Sequence, residues 1–274
     1  MSDAPTRPRT DDAACSEPEE RPVIPVNPLM TSIAPPVRRI ASRLRQRARS
    51  LVGAPGSVPA IGKVRWGGLR CTTPVSKQFG YDRGRPIDRY YIEAFLARWS
   101  DDIRGHVLEI KDSNYTRRFG GEKVSASDIL DVDSDNQEAT IVLDLESADA
   151  LPAERFDCIV FTQTLQYLFD THSALAHLHR SLKPGGVLLT SVPAITPLRT
   201  RSQSWYWNFT DLSLQRLLAE HFAADRIDLQ AYGNLVAATA FLHGLSAQEL
   251  RKDELDFRDP DYQVTIVARA EKAE

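Results

Sequence analysis

Short apolar runs alternate with segments of helical spacing over residues 61–274. One apolar face of a predicted helix at 86–99 is formed by Ile87, Tyr91, Phe95 and Trp99. Further helices are predicted at 172–182, at 211–223 and near 234–250. Strands are predicted at 105–110, 128–133, 139–145, 156–162, 186–193, 226–232 and 262–269. Strands alternating with helices indicate an α/β fold, and near-continuous apolar strands indicate a mostly parallel sheet covered on both faces.

Composition separates residues 1–60 from this pattern. Ten of the 17 prolines lie there, together with nine Arg, no Lys and six acidic residues. Few aliphatic residues and repeated prolines predict a disordered tail. Within it, residues 37–52 have apolar positions near a 3.6 period with arginines between them, which predicts a short basic helix. That helix is either solvated or a surface contact for anionic lipid or an acidic partner. We therefore expect a tail at 1–60 and one folded domain at 61–274.

Several classes of protein are excluded by simple features. No apolar run approaches the roughly 18 residues of a membrane-spanning helix, and residues 1–20 lack the pattern of a signal peptide. Cys15, Cys71 and Cys158 form no closely spaced pair, so neither a disulfide framework nor a metal site is expected. The net charge of −3 does not favour nucleic acid as a partner. We expect a cytoplasmic protein.

Acidic residues follow three of the predicted strands. Glu109 ends the first, Asp131 or Asp133 the second, and Asp144 the third. Ligands of parallel sheets bind beyond the carboxyl ends of the strands, and an acid near the end of the second strand can accept both hydroxyls of a ribose. Asp131 follows Glu109 by 22 residues and Asp133 by 24, near the spacing of about 20 typical of such sites.

Four segments resemble one family, the class I S-adenosylmethionine-dependent methyltransferases. They are VLEI, ATIVLDL, LPAERFDCIVFTQTLQYLFD and LHRSLKPGGVLLTSVP, and WYWNFTDLSLQRLL resembles a stretch of its type-11 group, which acts on small molecules and glycans. The resemblance implies a Rossmann-like, doubly wound, mostly parallel seven-stranded sheet with an antiparallel last strand. It also implies S-adenosylmethionine as cofactor and methyl transfer to an oxygen, nitrogen or carbon atom. We expect O-methylation of a small-molecule or saccharide acceptor, and the sequence leaves N- and C-methylation open.

The loop after the first strand departs from the family pattern. Where the family has E-x-G-x-G-x-G, this chain places Lys111, Ser113 and Tyr115 at the glycine positions. Gly120 and Gly121 follow later, and Y-T-x-x-F-G-G is similar to a variant subgroup encoded beside glycosyltransferases. Either these two glycines allow the close approach of the cofactor, or its site is degraded. A binding protein with this fold but no turnover, and another doubly wound nucleotide-binding enzyme, remain alternatives.

The resemblance also implies roles for individual residues. Glu109 orients the loop or holds the cofactor's amino group, and Asp133, as the end of its run, is preferred over Asp131 for the ribose. The remaining cofactor contacts are expected from Gly120, Gly121, Asp144, the backbone of Leu145, Gln163 and Thr164. Arg83 or Arg85 is a candidate for binding the cofactor carboxylate or an anionic acceptor.

A hydroxyl acceptor needs a base within hydrogen-bond reach. The candidates lie after the fourth strand and are His172, Asp170 and Tyr167. An aromatic wall for sugar rings or other flat acceptors, with Tyr206 as a further catalytic candidate, is predicted from Trp205, Tyr206, Trp207 and Phe209. His177 and His179 are two residues apart on a predicted helix and face different ways, so no metal site is expected there.

Overall fold

The computed structural model describes residues 59, 61, 63–64, 67, 70–147, 151–198 and 204–274. The chain divides into two compact units, Met1–Arg65 and Trp66–Glu274. Almost all of the first unit, including the predicted tail and the predicted helix at 37–52, lies outside the described residues. The fold that follows is that of the second unit.

Seven strands form one sheet in the order β3-β2-β1-β4-β5-β7-β6. Their bounds are Gly105–Ile110 (β1), Val124–Asp131 (β2), Ile141–Val142 (β3), Phe156–Thr162 (β4), Leu182–Pro193 (β5), Ile227–Tyr232 (β6) and Thr265–Glu271 (β7). The pairs β1·β2, β2·β3, β1·β4 and β4·β5 are parallel, whereas β7 is antiparallel to both β5 and β6. The predicted Rossmann-like, seven-stranded sheet with an antiparallel last strand is confirmed.

Helices cover both faces of the sheet. Their bounds are Ile87–Arg98 (α1), Thr171–Ser181 (α2), Asp211–Leu218 (α3), Leu235–Leu242 (α4) and Lys252–Asp256 (α5). One core lies between the sheet and α2 and α3, and the other lies between the sheet and α1, α4 and α5. Successive residues of a strand point to opposite faces, so Leu188 packs in the first core and Leu189 in the second. Among the described residues, no helix is long and apolar enough to cross a membrane.

Several boundaries differ from those that the sequence pattern predicts. The predicted helices at 211–223 and near 234–250 end at Leu218 and Leu242. The second strand runs from Val124 to Asp131 rather than over 128–133, and the third has two residues, Ile141 and Val142. Among the described residues, β3 is an edge strand whose pairing with β2 covers Ile141 and Val142. β5 begins at Leu182, before the predicted 186–193 strand, and residues 183–186 form a bulge opposite the start of β4.

The connection between β6 and β7 is long. Residues 233–264 carry α4 and α5 and pack against the segment that precedes α1. The amide of Ala247 donates to the carbonyl of Arg85 at 2.8 Å, and the amide of Ser76 donates to His243 at 3.1 Å. A Cβ on Gly80 would lie 2.7 Å from the carbonyl oxygen of Leu245, so the close contact requires glycine. We call residues 76–86 the cap segment.

Candidate functional site

The carboxyl ends of β1, β2, β4 and β5 meet along one edge of the sheet. Within the parallel register, Glu109 is level with Ile129 of β2 and Val160 of β4. The loops that begin at Lys111, after Asp131 and at Gln163 therefore leave the sheet on the same side. This carboxyl edge is where doubly wound sheets bind ligands.

Glu109 is buried and anchors the loop that follows β1. Its carboxylate accepts the backbone N–H of Tyr115 at 3.1 Å and that of Thr116 at 2.7 Å. Burial raises the pKa of Glu109, while the hydrogen bonds from Thr116 and Tyr115 oppose that rise. Both carboxylate oxygens of Glu109 thus bind the loop. This agrees with an orienting role for Glu109, one of the two roles that the resemblance implies.

Lys111 occupies the first position at which the resemblance predicts glycine. Its φ is +74°, in the left-handed region, which costs a residue with a Cβ about 1–2 kcal/mol. The backbone N–H of Lys111 donates to Leu130 at 2.8 Å, and its carbonyl accepts a hydrogen bond from Asn136 at 2.8 Å. The loop therefore keeps a left-handed turn at this position without the glycine.

Gly120 does not lie at the carboxyl edge, contrary to the expectation that it contacts the cofactor. It precedes Val124, which pairs with Gly105 at the amino end of β1. A Cβ on Gly120 would lie 2.5 Å from a methyl carbon of Val124 and 2.9 Å from Ile103. Packing at the opposite end of the sheet explains this glycine. The φ of Gly121, which follows it, is +55° with open space around it, so a turn explains the second glycine.

Asp131, and not Asp133, ends the second strand. Asp131 is partly buried and accepts the Asp133 backbone N–H at 3.1 Å through Oδ1 and the Asn136 side-chain amide at 2.7 Å through Oδ2. Asp133 is exposed and accepts the amide of Asp135. Asp133 was preferred because the second strand was predicted to end there. That prediction was wrong, since the strand ends two residues earlier, at Asp131.

Asp144 and Leu145 follow the short β3. Asp144 is exposed, and its carboxylate accepts the amide of Glu146 at 2.9 Å. Leu145 is buried in a 3-10 turn, and its carbonyl is 2.9 Å from Nδ1 of His177. The Leu145 carbonyl is therefore engaged by α2, and the Asp144 side chain remains accessible at the edge.

Two glutamines follow β4. Gln163 has a φ of +49°, and its amide N–H donates to Ser191 at 2.9 Å. The side chain of Gln166 donates to the carbonyl of Gln163 at 3.0 Å. Within the described part of the chain, Nε2 of Gln163 and Oε1 of Gln166 are buried without a hydrogen-bond partner. Thr164, also expected here, bonds back to the carbonyl of Thr162. Buried polar atoms are rarely left unpaired in the absence of a ligand or water.

Neither arginine suggested by the sequence is free. Arg83 forms an ion pair with Glu249, and Arg85 forms one with Glu93 at 3.1 Å. Arg89, in the first turn of α1, was not singled out. Its Nε donates to the hydroxyl of Tyr81 at 2.9 Å, and Nη1 lies 3.4 Å from the hydroxyl of Tyr115.

Arg89 is a partly buried cation beside the loop that replaces the glycines. Over residues 70–147, 151–198 and 204–274, no carboxylate lies within ion-pair distance of its guanidinium. Burial raises the pKa of the neighbouring Asp88, whose carboxylate accepts the Arg89 backbone N–H at 2.8 Å. The only indication of Arg89 in the sequence is its position, three residues after the start of the helix predicted at 86–99.

Exposed aromatic rings gather where the chain leaves β4 and β5. Tyr167 packs edge-on to Trp205 at 5.2 Å, and Phe169 lies 5.3 Å from Tyr206 and 5.9 Å from Trp207. The backbone amide of Tyr206 donates to Gln166 at 2.9 Å, and the indole of Trp207 donates to Leu168 at 3.0 Å. We call these five aromatic residues the aromatic patch. Phe209, expected in this wall, is only 7% exposed and belongs to the core.

The candidate bases have different surroundings. Nδ1 of His172 is hydrogen bonded to the carboxylate of Glu220, and both side chains are exposed. Asp170 caps α2 by accepting the Ser173 amide at 3.0 Å and its hydroxyl at 2.7 Å. The bonds from Ser173 lower the pKa of Asp170, which makes Asp170 a weak base.

Comparison with known proteins gives one family. A family model described as a methyltransferase domain matches residues 84–235, more than half of the chain. A search of curated proteins gives no significant match.

Several solved structures are similar. An N-methyltransferase, NodS of Bradyrhizobium japonicum, in complex with S-adenosyl-L-homocysteine, is 15% identical, with a TM-score of 0.48, 73% of this chain and 95% of that chain covered. A SAM-dependent methyltransferase from Archaeoglobus fulgidus is 13% identical, with a TM-score of 0.47, 67% of this chain and 94% of that chain covered. The 1,6-didemethyltoxoflavin-N1-methyltransferase of Burkholderia thailandensis is 17% identical, with a TM-score of 0.44, 90% of this chain and 94% of that chain covered.

The family model spans the elements from the start of α1 to the start of α4, and so includes every residue of the carboxyl edge described above. The sheet order agrees with the methyltransferase fold rather than with the other doubly wound enzymes that the sequence left open. The chain belongs to the class I S-adenosylmethionine-dependent methyltransferases.

Proposed function

We propose that this methyltransferase acts on a hydroxyl of a small-molecule acceptor, with a saccharide as the acceptor class. The observation that carries the proposal is the aromatic patch beside the carboxyl edge, where three of the five rings are exposed, with Phe169 64% and Tyr206 49% exposed. Flat aromatic faces pack against sugar rings, and their negative π-face also favours a neighbouring cation. Exposed apolar patches of this kind mark binding sites more often than they occur without a role.

The residues at the carboxyl edge fit the groups of S-adenosylmethionine. The guanidinium of Arg89 has no carboxylate partner in the described residues and suits the cofactor's carboxylate. The buried, unpaired Nε2 of Gln163 suits a polar group of the methionine moiety. Asp131 retains acceptor capacity for the ribose hydroxyls, and Asp144 is accessible for the adenine amino group.

When bound, S-adenosylmethionine supplies an electrophilic methyl group on its sulfonium. The protein's contribution is to hold the acceptor oxygen in line and close, which can account for much of the rate enhancement. His172 is proposed to accept the acceptor's proton. Its Nδ1 is held by Glu220, which leaves Nε2 available, and His172 follows Phe169 by three residues, in the first turn of α2. Tyr206, within the aromatic patch, is proposed to contact the acceptor.

The first experiment is titration calorimetry of the purified protein with S-adenosylhomocysteine, followed by transfer of a labelled methyl group to a panel of saccharides, phenols and amines. Binding of the cofactor and label in a saccharide hydroxyl are expected. A protein that binds the cofactor but methylates only amines overturns the acceptor proposal. A protein that binds the cofactor and transfers no label to any acceptor supports the alternative of binding without turnover.

The aromatic patch is tested with a matched pair of variants. Trp207→Ala is expected to raise the acceptor KM by roughly tenfold, as for the loss of one aromatic stacking contact of about 1–1.5 kcal/mol, with unchanged affinity for S-adenosylhomocysteine. Leu212→Ala removes an apolar side chain that is more exposed, 77% against 39% for Trp207, on α3 and outside the patch, and is expected to leave both quantities unchanged. Equal effects of the two substitutions argue against an acceptor site at the patch.

A further inference from the structure

Asn136 joins the two loops that flank the proposed cofactor site. It lies in the turn between β2 and β3, and its Nδ2 donates to the carbonyl of Lys111 at 2.8 Å and to Oδ2 of Asp131 at 2.7 Å. Its Oδ1 accepts the backbone N–H of Glu138 at 3.0 Å. The side-chain amide of Asn136 thus donates once to the loop after β1 and once to the end of β2, and its oxygen accepts from its own turn.

The first of these bonds acts on a strained residue. Lys111 has a left-handed backbone, with φ at +74°, which residues other than glycine adopt only when their surroundings determine it. The N–H of Lys111 is held by Leu130, a residue of β2. Asn136 holds the carbonyl on the other side of the same residue, so the two bonds together fix the conformation that a glycine adopts without help.

The second bond orients the strand-end carboxylate. Asp131 receives Asn136 on one oxygen and the backbone N–H of Asp133 on the other. Two donors from two positions define the plane of the carboxylate. Each carboxylate oxygen can accept a further hydrogen bond, so the oriented group keeps capacity for a ligand that carries two neighbouring hydroxyls.

We propose that Asn136 is a positioning residue that takes over the part of the missing glycines in shaping the cofactor site. It holds the backbone turn at Lys111 and the carboxylate of Asp131 in one fixed arrangement, and it does so without touching the cofactor. This inference rests on the proposed use of Asp131 for the ribose hydroxyls. It explains how the loop after β1 retains a glycine-like shape with a lysine in it.

The test is titration calorimetry with S-adenosylhomocysteine on Asn136→Ala and on a control, Gln137→Ala. Gln137 is the next residue of the same turn, and its amide donates only to the exposed carbonyl of Asp135 at 3.2 Å. Asn136→Ala is expected to weaken binding by roughly tenfold or more, as for the loss of a hydrogen bond to a charged group. Gln137→Ala is expected to change affinity less than about twofold.

A rescue experiment separates positioning from a general effect on the fold. Adding Lys111→Gly to Asn136→Ala is expected to recover at least about threefold in affinity, because glycine adopts the left-handed turn by itself. Adding Lys111→Ala also removes the lysine side chain but keeps a Cβ, and no recovery is expected. Recovery with both, or with neither, overturns the inference.

A second measurement does not depend on the cofactor. The backbone 13C chemical shifts of residue 111 report its left-handed conformation, and we expect them to move in Asn136→Ala but not in Gln137→Ala. If Asn136→Ala does not fold, Asn136→Asp keeps the side-chain size and removes both donors. Wild-type protein that fails to bind S-adenosylhomocysteine overturns the proposed function. Unchanged shifts and unchanged affinity in the Asn136 variants overturn the positioning role alone.

Discussion

Arg83 and Glu249 are joined by two parallel hydrogen bonds across 166 positions of the chain. The pair fixes the cap segment to the connection between β6 and β7. The cap segment also carries Tyr81, whose hydroxyl accepts from Arg89. The contact between Arg83 and Glu249 is thus linked, through Tyr81, to the guanidinium of Arg89, which we propose binds the cofactor carboxylate.

Breaking this pair is expected to weaken cofactor binding more than it weakens the fold. Both side chains are about one-third exposed, and such pairs contribute about 0–1 kcal/mol to stability. Arg83→Glu is expected to lower the affinity for S-adenosylhomocysteine by roughly threefold with a Tm shift of less than about 4 °C. The exchanged pair, Arg83→Glu with Glu249→Arg, is expected to restore the affinity. Failure of the exchange to restore it argues against the link.

Acid is expected to weaken the cap contact in a defined range. The hydrogen bonds from Arg83 lower the pKa of Glu249 to about 2, below the ordinary value of about 4.3. A carboxyl with a lowered folded-state pKa contributes stability above its unfolded pKa and loses it as the pH falls toward the folded value. Between about pH 4.5 and pH 2, urea midpoints should therefore fall more steeply for wild type than for Glu249→Gln. If the urea midpoints of the two proteins fall in parallel, ionisation of Glu249 does not stabilise the fold in this pH range.

Arg89 is expected to recognise the carboxylate of the cofactor. Arg89→Gln removes the charge and is expected to weaken the binding of S-adenosylhomocysteine by roughly tenfold, as for the loss of a charge-assisted hydrogen bond of about 1.5 kcal/mol. Its effect on 5′-methylthioadenosine, which has no carboxylate, should be less than about twofold. Calorimetry with both ligands gives the comparison, and equal losses would mean that Arg89 acts on the site in another way.

The two aspartates after β2 are expected to differ. Asp131→Ala should weaken S-adenosylhomocysteine binding by roughly tenfold, because it removes a partly buried acceptor that two donors already orient. Asp133→Ala removes an exposed side chain and should have an effect of less than about threefold. The reverse order would restore the assignment made from the sequence pattern.

Gly120→Ala tests the place of the two glycines. The added methyl group would meet Val124 and Ile103 at the amino end of the sheet, and overpacking of this kind costs about 1–3 kcal/mol. Thermal unfolding should show a lower Tm, while calorimetry on the folded protein should show unchanged affinity for S-adenosylhomocysteine. A loss of affinity without a loss of stability would return Gly120 to the cofactor site.

Much of the fold could be predicted from the sequence. The predicted strand at 156–162 and the predicted helix at 172–182 agree with β4 and α2 to within one residue. Their apolar patterns are long, local and buried on the expected faces. β3 is shorter than its apolar run, since its pairing with β2 covers only Ile141 and Val142 among the described residues, and the apolar pattern does not show where that pairing ends.

The candidate site was predictable in its position but not in all of its members. An acid near the end of a predicted strand is visible in a sequence, which is how Glu109, Asp131 or Asp133, and Asp144 become candidates. The choice between Asp131 and Asp133 was not, since it depends on where pairing with β1 stops. Asn136 has no sequence signal, because its role consists of bonds to residues 5 and 25 positions away.

The sequence by itself determined the α/β class and the carboxyl edge, because periodicity and strand-end chemistry are local properties of the chain. The family was indicated by the resemblance of whole segments rather than by those patterns. The tertiary structure alone decided that Arg83 and Arg85 form ion pairs while Arg89 meets no carboxylate among the described residues, that Gly120 serves packing, and that Phe209 is core while Phe169 joins the aromatic patch. Each of these depends on which side chains meet across the folded chain. Partner choice is set by packing between elements distant in sequence, and no local pattern encodes it.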